Sequence, residues 1–143
     1  MQTHDFGATL QFGIVAAVDE AGHHLRVRLP ALENMETDWL PMITPAAGGN
    51  QFYSLPDEGE QVACLLDARG ESGVVLGATY NGADKPPAAS KNMWVRRFSN
   101  GTVIQHNRAS GNILVQTGGT VTVDAPNSVF TGNALVMGLL TYQ

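Results

Sequence analysis

Apolar and polar residues alternate along much of this chain with a period of two, the spacing of strands and not of helices. Residues 9–18, TLQFGIVAAV, are rich in strand formers, and DEAG at 19–22 supplies a turn. In LRVRL at 25–29, Leu25, Val27 and Leu29 fall on one face and Arg26 and Arg28 on the other. Pro30 has no N–H for a ladder and ends that strand. DWLPMI at 38–43 contains Pro41, so it reads as an edge strand or one with a bulge, and AAGGN at 46–50 reads as a loop. EQVACLL at 60–66 and GVVLGATY at 73–80 supply the fourth and fifth strands. The one helix candidate, around Ala31 to Asp38, is too short to stand alone. An open sheet leaves bare edges and a wet apolar face, so five short strands suit a small closed or partly closed barrel. The strand count fits the OB type, and an SH3-like barrel nearly as well.

Residues 80–90, YNGADKPPAAS, read as a turn followed by a semi-extended connector. Beyond Phe98 the alternation resumes in shorter pieces at 102–106, 112–117, 120–125, 128–132 and 134–138. The intervening pairs, among them Asn100-Gly101, Gly118-Gly119 and Gly132-Asn133, are turn chemistry. Ile104 and Leu114 lie ten residues apart, Leu114 and Val123 nine, a quasi-repeat with the look of a β-solenoid or β-prism rung. One chain holds too few such rungs to bury its own apolar face. Three or more chains wound about a common axis would cover both the aliphatic face and the strand edges.

Charge strengthens this division. The chain has 143 residues, eight basic and thirteen acidic, a net of −5. Residues 1–90 hold twelve acidic and four basic side chains, whereas residues 98–143 hold only Arg108 and Asp124. Soluble surfaces normally carry about a quarter charged positions, so the second stretch must be disordered, chemically odd or covered. Its β-branched content argues against disorder. The acidic first part repels phosphate, and Lys91, Arg96 and Arg97 are too few to make a nucleic-acid face, so no nucleic-acid partner is expected. The sequence holds no apolar run of membrane-spanning length and no basic-then-apolar start like a signal peptide.

Catalytic and metal chemistry is thin. His23 and His24 are neighbours, and on a strand they would face opposite ways. His4 and His106 stand apart, and no His-x-His pair occurs. Asp57, Glu58 and Glu60 surround Gly59; Asp57 and Glu60 could in principle pair as catalytic carboxylates, but the pattern suits a solvated turn. The single Cys64 excludes an intrachain disulfide, and its alternation with Val62 and Leu66 marks an inward, inert thiol. No nucleophile-elbow, Walker or dinucleotide motif is present. No catalytic, cofactor-binding or metal-binding residue is therefore assigned, no cofactor is expected, and the chain does not read as an enzyme.

A family resemblance runs through about residues 10–140. Arg26-Val27-Arg28-Leu29-Pro30, Thr37-Asp38-Trp39-Leu40-Pro41 and Ala47-Gly48-Gly49 resemble the barrel domain of phage baseplate assembly protein V. The series continues with Leu55-Pro56-Asp57-Glu58-Gly59-Glu60-Gln61-Val62 and Glu71-Ser72-Gly73-Val74-Val75-Leu76-Gly77. Tyr80-Asn81 with Asp84, Pro86 and Pro87, then Asn100-Gly101-Thr102, extend it. That family supplies the central spike of contractile P2-like tails and pyocin-type particles, with a related architecture in type VI secretion. The resemblance implies a homotrimer whose collar faces the tail tube and hub proteins and whose needle is driven through the outer membrane on contraction. It also implies assembly in the bacterial host cytoplasm. Longer members end in an iron-binding His-x-His apex. This chain lacks that motif, so the resemblance implies either a truncated chain or a short spike whose tip is a separate protein.

The resulting expectation is an all-β chain: an N-terminal five-stranded OB-fold barrel followed by an intertwined triple-stranded β-helix or β-prism. Its divisions are a collar over 1–85, a linker over 86–97 and a trimeric stem over 98–143, stopping before an apex. Its function is that of a structural baseplate spike. The alternative is an OB-fold module binding oligosaccharide or a single strand, with a polar tail.

Overall fold

The computed structural model describes residues 8–143 and divides the chain into two compact units, the first ending at Pro86 and the second spanning Pro87–Gln143. In the first unit β1 (Thr9–Asp19) and β2 (His24–Leu29) form a hairpin. The Gly22 amide closes its turn on the Asp19 carboxylate at 3.2 Å, and His23 takes the left-handed conformation with φ 57°. A 3-10 turn at Pro30–Leu32 leads to two very short strands, β3 (Met35–Glu36) and β4 (Leu40–Pro41), both pairing with β2. On the other flank β5 (Gln61–Leu66) pairs with β1, and β6 (Gly73–Ala78) pairs with β5. Every ladder is antiparallel.

Alternation turns one set of aliphatic side chains from these strands to the core side. Val15, Leu25, Val27, Leu29, Leu40, Val62, Cys64, Leu66 and Val75 make one nearly water-free cluster, with Val18, Met42 and Leu55 packed against it. Thr37 is the one buried polar residue among those described, and it is fully engaged. Its hydroxyl accepts from the Val27 amide at 3.0 Å and donates to the Asp38 carbonyl at 2.8 Å. Glycine is required at Gly73, where φ is 150° and a Cβ would lie 2.0 Å from the Leu65 carbonyl oxygen.

The expectation of a closed five-stranded barrel is corrected. The sheet has six strands in the order β3-β2-β1-β5-β6, with β4 joining β2 off that path, and no ladder links the two ends. Between them lies an isolated parallel bridge, Met42 to Val75, with the Ile43 amide donating to the Val75 carbonyl at 3.1 Å. The physical reason lies in Pro41. It stops β4 after two residues, so the following chain touches β6 at a point and not along a strand.

The second unit is a three-stranded antiparallel meander of β7 (Met93–Arg97), β8 (Val103–Asn107) and β9 (Ile113–Gln116). Gly101, at φ 90°, sits in the β7–β8 turn, where the Gly101 amide donates to the Phe98 carbonyl at 2.9 Å. The Thr102 and Thr117 hydroxyls bond across the sheet at 2.9 Å. Here too the expected architecture is corrected: these strands form a meander, not an intertwined β-helix or β-prism. The segments at 120–125, 128–132 and 134–138 carry no strand. Their alternation states which side chains a strand would bury, but none of them pairs with an edge of this sheet. The end of the expected linker, Met93–Arg97, is strand β7.

Candidate functional site

The acidic turn is the most chemically dense part of the first unit. Gly59, at φ 90°, lets the chain reverse between Asp57 and Glu60. The Glu60 carboxylate accepts the Asp57 amide, and the Gly59 amide donates to the Val15 carbonyl at 2.9 Å. The Val15 amide returns a bond to the Glu60 carbonyl at 2.9 Å. One carboxylate of the suspected catalytic pair is thus occupied in closing its own turn, which backbone bonds hold onto β1, the role of a structural turn. Asp57 and Glu58 line an open cleft of about 610 Å³ with Val18, Glu20, Tyr53, Leu55 and Pro56. Tyr53 stands across it, its hydroxyl donating to the Glu20 carbonyl at 2.9 Å and its ring 5.6 Å from that of His23, edge to face. Nothing in the spacing of Tyr53 from Glu20, 33 residues apart, announces that contact.

The remaining candidates are dispersed. His23 bonds through Nδ1 to the Met42 carbonyl at 3.2 Å, while His24 is a β2 residue paired with Asp19. His106 lies on β8 between Trp94 and Ile113. His4 lies outside the described residues. No group of three or more His, Cys, Asp or Glu able to hold a metal occurs among the described residues. Cys64 is fully buried, and burial pushes its thiol up to about 11, which keeps it protonated and unreactive. The Asp67 loop is self-contained. Its carboxylate accepts from the Ser72 hydroxyl at 2.8 Å and from the Glu71 and Arg69 amides, and these bonds, the Ser72 one foremost, hold it below the usual carboxylate range. No described helix is long and apolar enough to cross a membrane.

The second unit offers surface in place of chemistry. No residue of 87–143 is buried, and every residue from 118 to 143 is exposed. Among them are Val123, Phe130, Leu135, Met137 and Leu139, the last 91% exposed. On β7, Arg96 lies 5.1 Å over the Phe98 ring.

An acidic first unit is followed by a segment, 98–143, that carries only two charges and exposes most of its apolar side chains, and comparison with known proteins gives this pattern a context. The family described as type VI secretion system/phage-baseplate injector OB domain matches residues 11–80. The chain is 30% identical over 158 aligned residues to the spike protein of Escherichia phage P2, covering 94% of this chain and 73% of that protein. The chain belongs to the phage baseplate assembly protein V family. It is a structural phage protein of the spike and baseplate, and its setting is the virion tail. The matched span of the baseplate V family takes in the whole buried cluster and the whole acidic turn, from Gln11 on β1 to Tyr80 beyond β6.

Proposed function

We propose that this protein is the central spike of a contractile tail baseplate, a homotrimer that joins the tail tube to a membrane-piercing needle. The observation carrying this reading is the absence of a single buried residue in 87–143. A unit without a core of its own has too little buried apolar surface to offset its chain entropy, so its order calls for partners. Identical copies supply them most directly. The aliphatic side chains that one chain leaves in water are then removed from it by two others, and the scarcity of charge after Arg97 removes the desolvation cost.

In this arrangement residues 1–85 form the collar that meets tube, hub and baseplate proteins, 86–97 connect, and 98–143 make the trimeric stem. Contraction drives the stem into the outer membrane. The collar serves attachment, not oligonucleotide binding, in keeping with its acidic balance. The test is the solution mass of the full chain by sedimentation equilibrium. Three times 15.2 kDa is expected, and a monomer at micromolar concentration overturns the reading.

A further inference from the structure

The sheet of the first unit has two unlike halves on the side facing away from its core. On β2 that side carries Arg26 and Arg28, as expected of a sheet with one wet face. On β1 it carries Leu10 and Phe12, because the alternate residues Gly13 and Val15 are the buried ones. Register extends this apolar half across three strands. Leu10 lies opposite Leu65, which lies opposite Val74; Phe12 lies opposite Ala63, which lies opposite Gly77. Leu76 is the extra residue of the bulge between those two rows. Leu10 is 54% exposed, Phe12 49%, Leu65 39% and Leu76 40%. A Cβ on Gly77 would touch nothing within 4 Å, so the surface is low beside Ala63. Toward β2 the patch ends where Ile14 meets Arg28.

We infer that this face is a contact between the first units of neighbouring copies of this chain. Two observations favour a second copy. Residues 1–90 carry twelve acidic and four basic side chains, so two such bodies repel except across a face free of charge, and the apolar half of this sheet has none. A basic partner would instead be drawn to the acidic turn. The area also fits. Four half-exposed large side chains and their small neighbours offer roughly 300–500 Å² per copy, below the ~800 Å² per partner of a free-standing interface. Such a patch does not hold two free molecules together, but copies joined through a shared stem meet at millimolar effective concentration. A threefold ring is heterologous, so this face of one copy lies against a different surface of the next. The inference rests on the trimeric reading and deepens it.

Hydroxyl-radical footprinting of the full chain, run beside its sedimentation mass, tests this. The mass is expected to be trimeric, with Phe12 and Leu76 slow to oxidise. In Leu65→Glu the mass stays trimeric and oxidation at Phe12 and Leu76 rises several-fold. Leu10→Gln, at the end of the patch, gives the same rise and serves if circular dichroism shows Leu65→Glu to be misfolded. A trimer in which neither variant changes the footprint overturns the contact and leaves the trimer standing. A monomeric mass overturns both.

Discussion

The two units of this protein treat aliphatic residues in opposite ways. The first turns alternate strand positions inward and removes nine apolar side chains from water almost completely. The second uses the same alternation and the same residue types, yet leaves every one of them at least partly wet. Both follow the same local rules of strand and turn. They differ in what they enclose: the six-stranded sheet buries one face in a common cluster, whereas no residue of the three-stranded meander or of the segment after it is buried. A segment can therefore share the strand chemistry of its neighbour and still bury none of its own side chains.

Deleting residues 98–143 is the strongest way to break this contrast. It is expected to reduce the sedimentation mass from three chains to one, and a trimer surviving the deletion would place the association in the first unit alone. Next comes a matched pair of substitutions followed by urea unfolding. Leu25→Ala, within the core, is expected to cost about 2–5 kcal/mol in the first unit's transition. Leu139→Ala is expected to leave that transition within ~0.5 kcal/mol. Equal effects from the two would erase the distinction between units.

Gly73→Ala sharpens it at a single backbone site. A φ of 150° and the Leu65 carbonyl oxygen 2.0 Å from the new Cβ predict a loss of about 1–3 kcal/mol, read from the same transition. The smallest effect concerns pH. The Cys64 thiol is raised by burial from 9.0 to about 11 in the folded chain, so its neutral form favours folding. That contribution is intact below pH 9 and declines between pH 9 and about 11. Cys64→Val is expected to flatten that part of the stability profile. An unchanged slope would show that the thiol is not the titrating group.

Strand formers with an unambiguous inward face were legible from sequence. LRVRL became β2 with Leu25, Val27 and Leu29 inward, and Val62, Cys64 and Leu66 took the same sense on β5. Tertiary neighbours decided the rest. Met35–Glu36 pairs with β2 although its surroundings suggested a weak helix. Met93–Arg97 forms a strand although its two arginines and neighbouring lysine suggested a junction. TLQFGIVAAV is apolar at both parities, so alternation could not reveal that Leu10 and Phe12 point away from the core. Closure was the largest error, because strand count does not register that Pro41 stops β4 after two residues. At the acidic turn, Gly59 and its flanking carboxylates were visible, but the Tyr53 contact to Glu20 depends on a long loop whose path no local pattern encodes.

The burial of Cys64 also has a practical consequence. The protein's one sulfhydryl is sealed inside the sheet and kept protonated, so the native surface presents no background to maleimide reagents. A cysteine introduced at any exposed position becomes a unique attachment point without first removing the natural one. A spin label or fluorophore placed at exposed Tyr80 or Tyr142 would then report on its own surroundings alone.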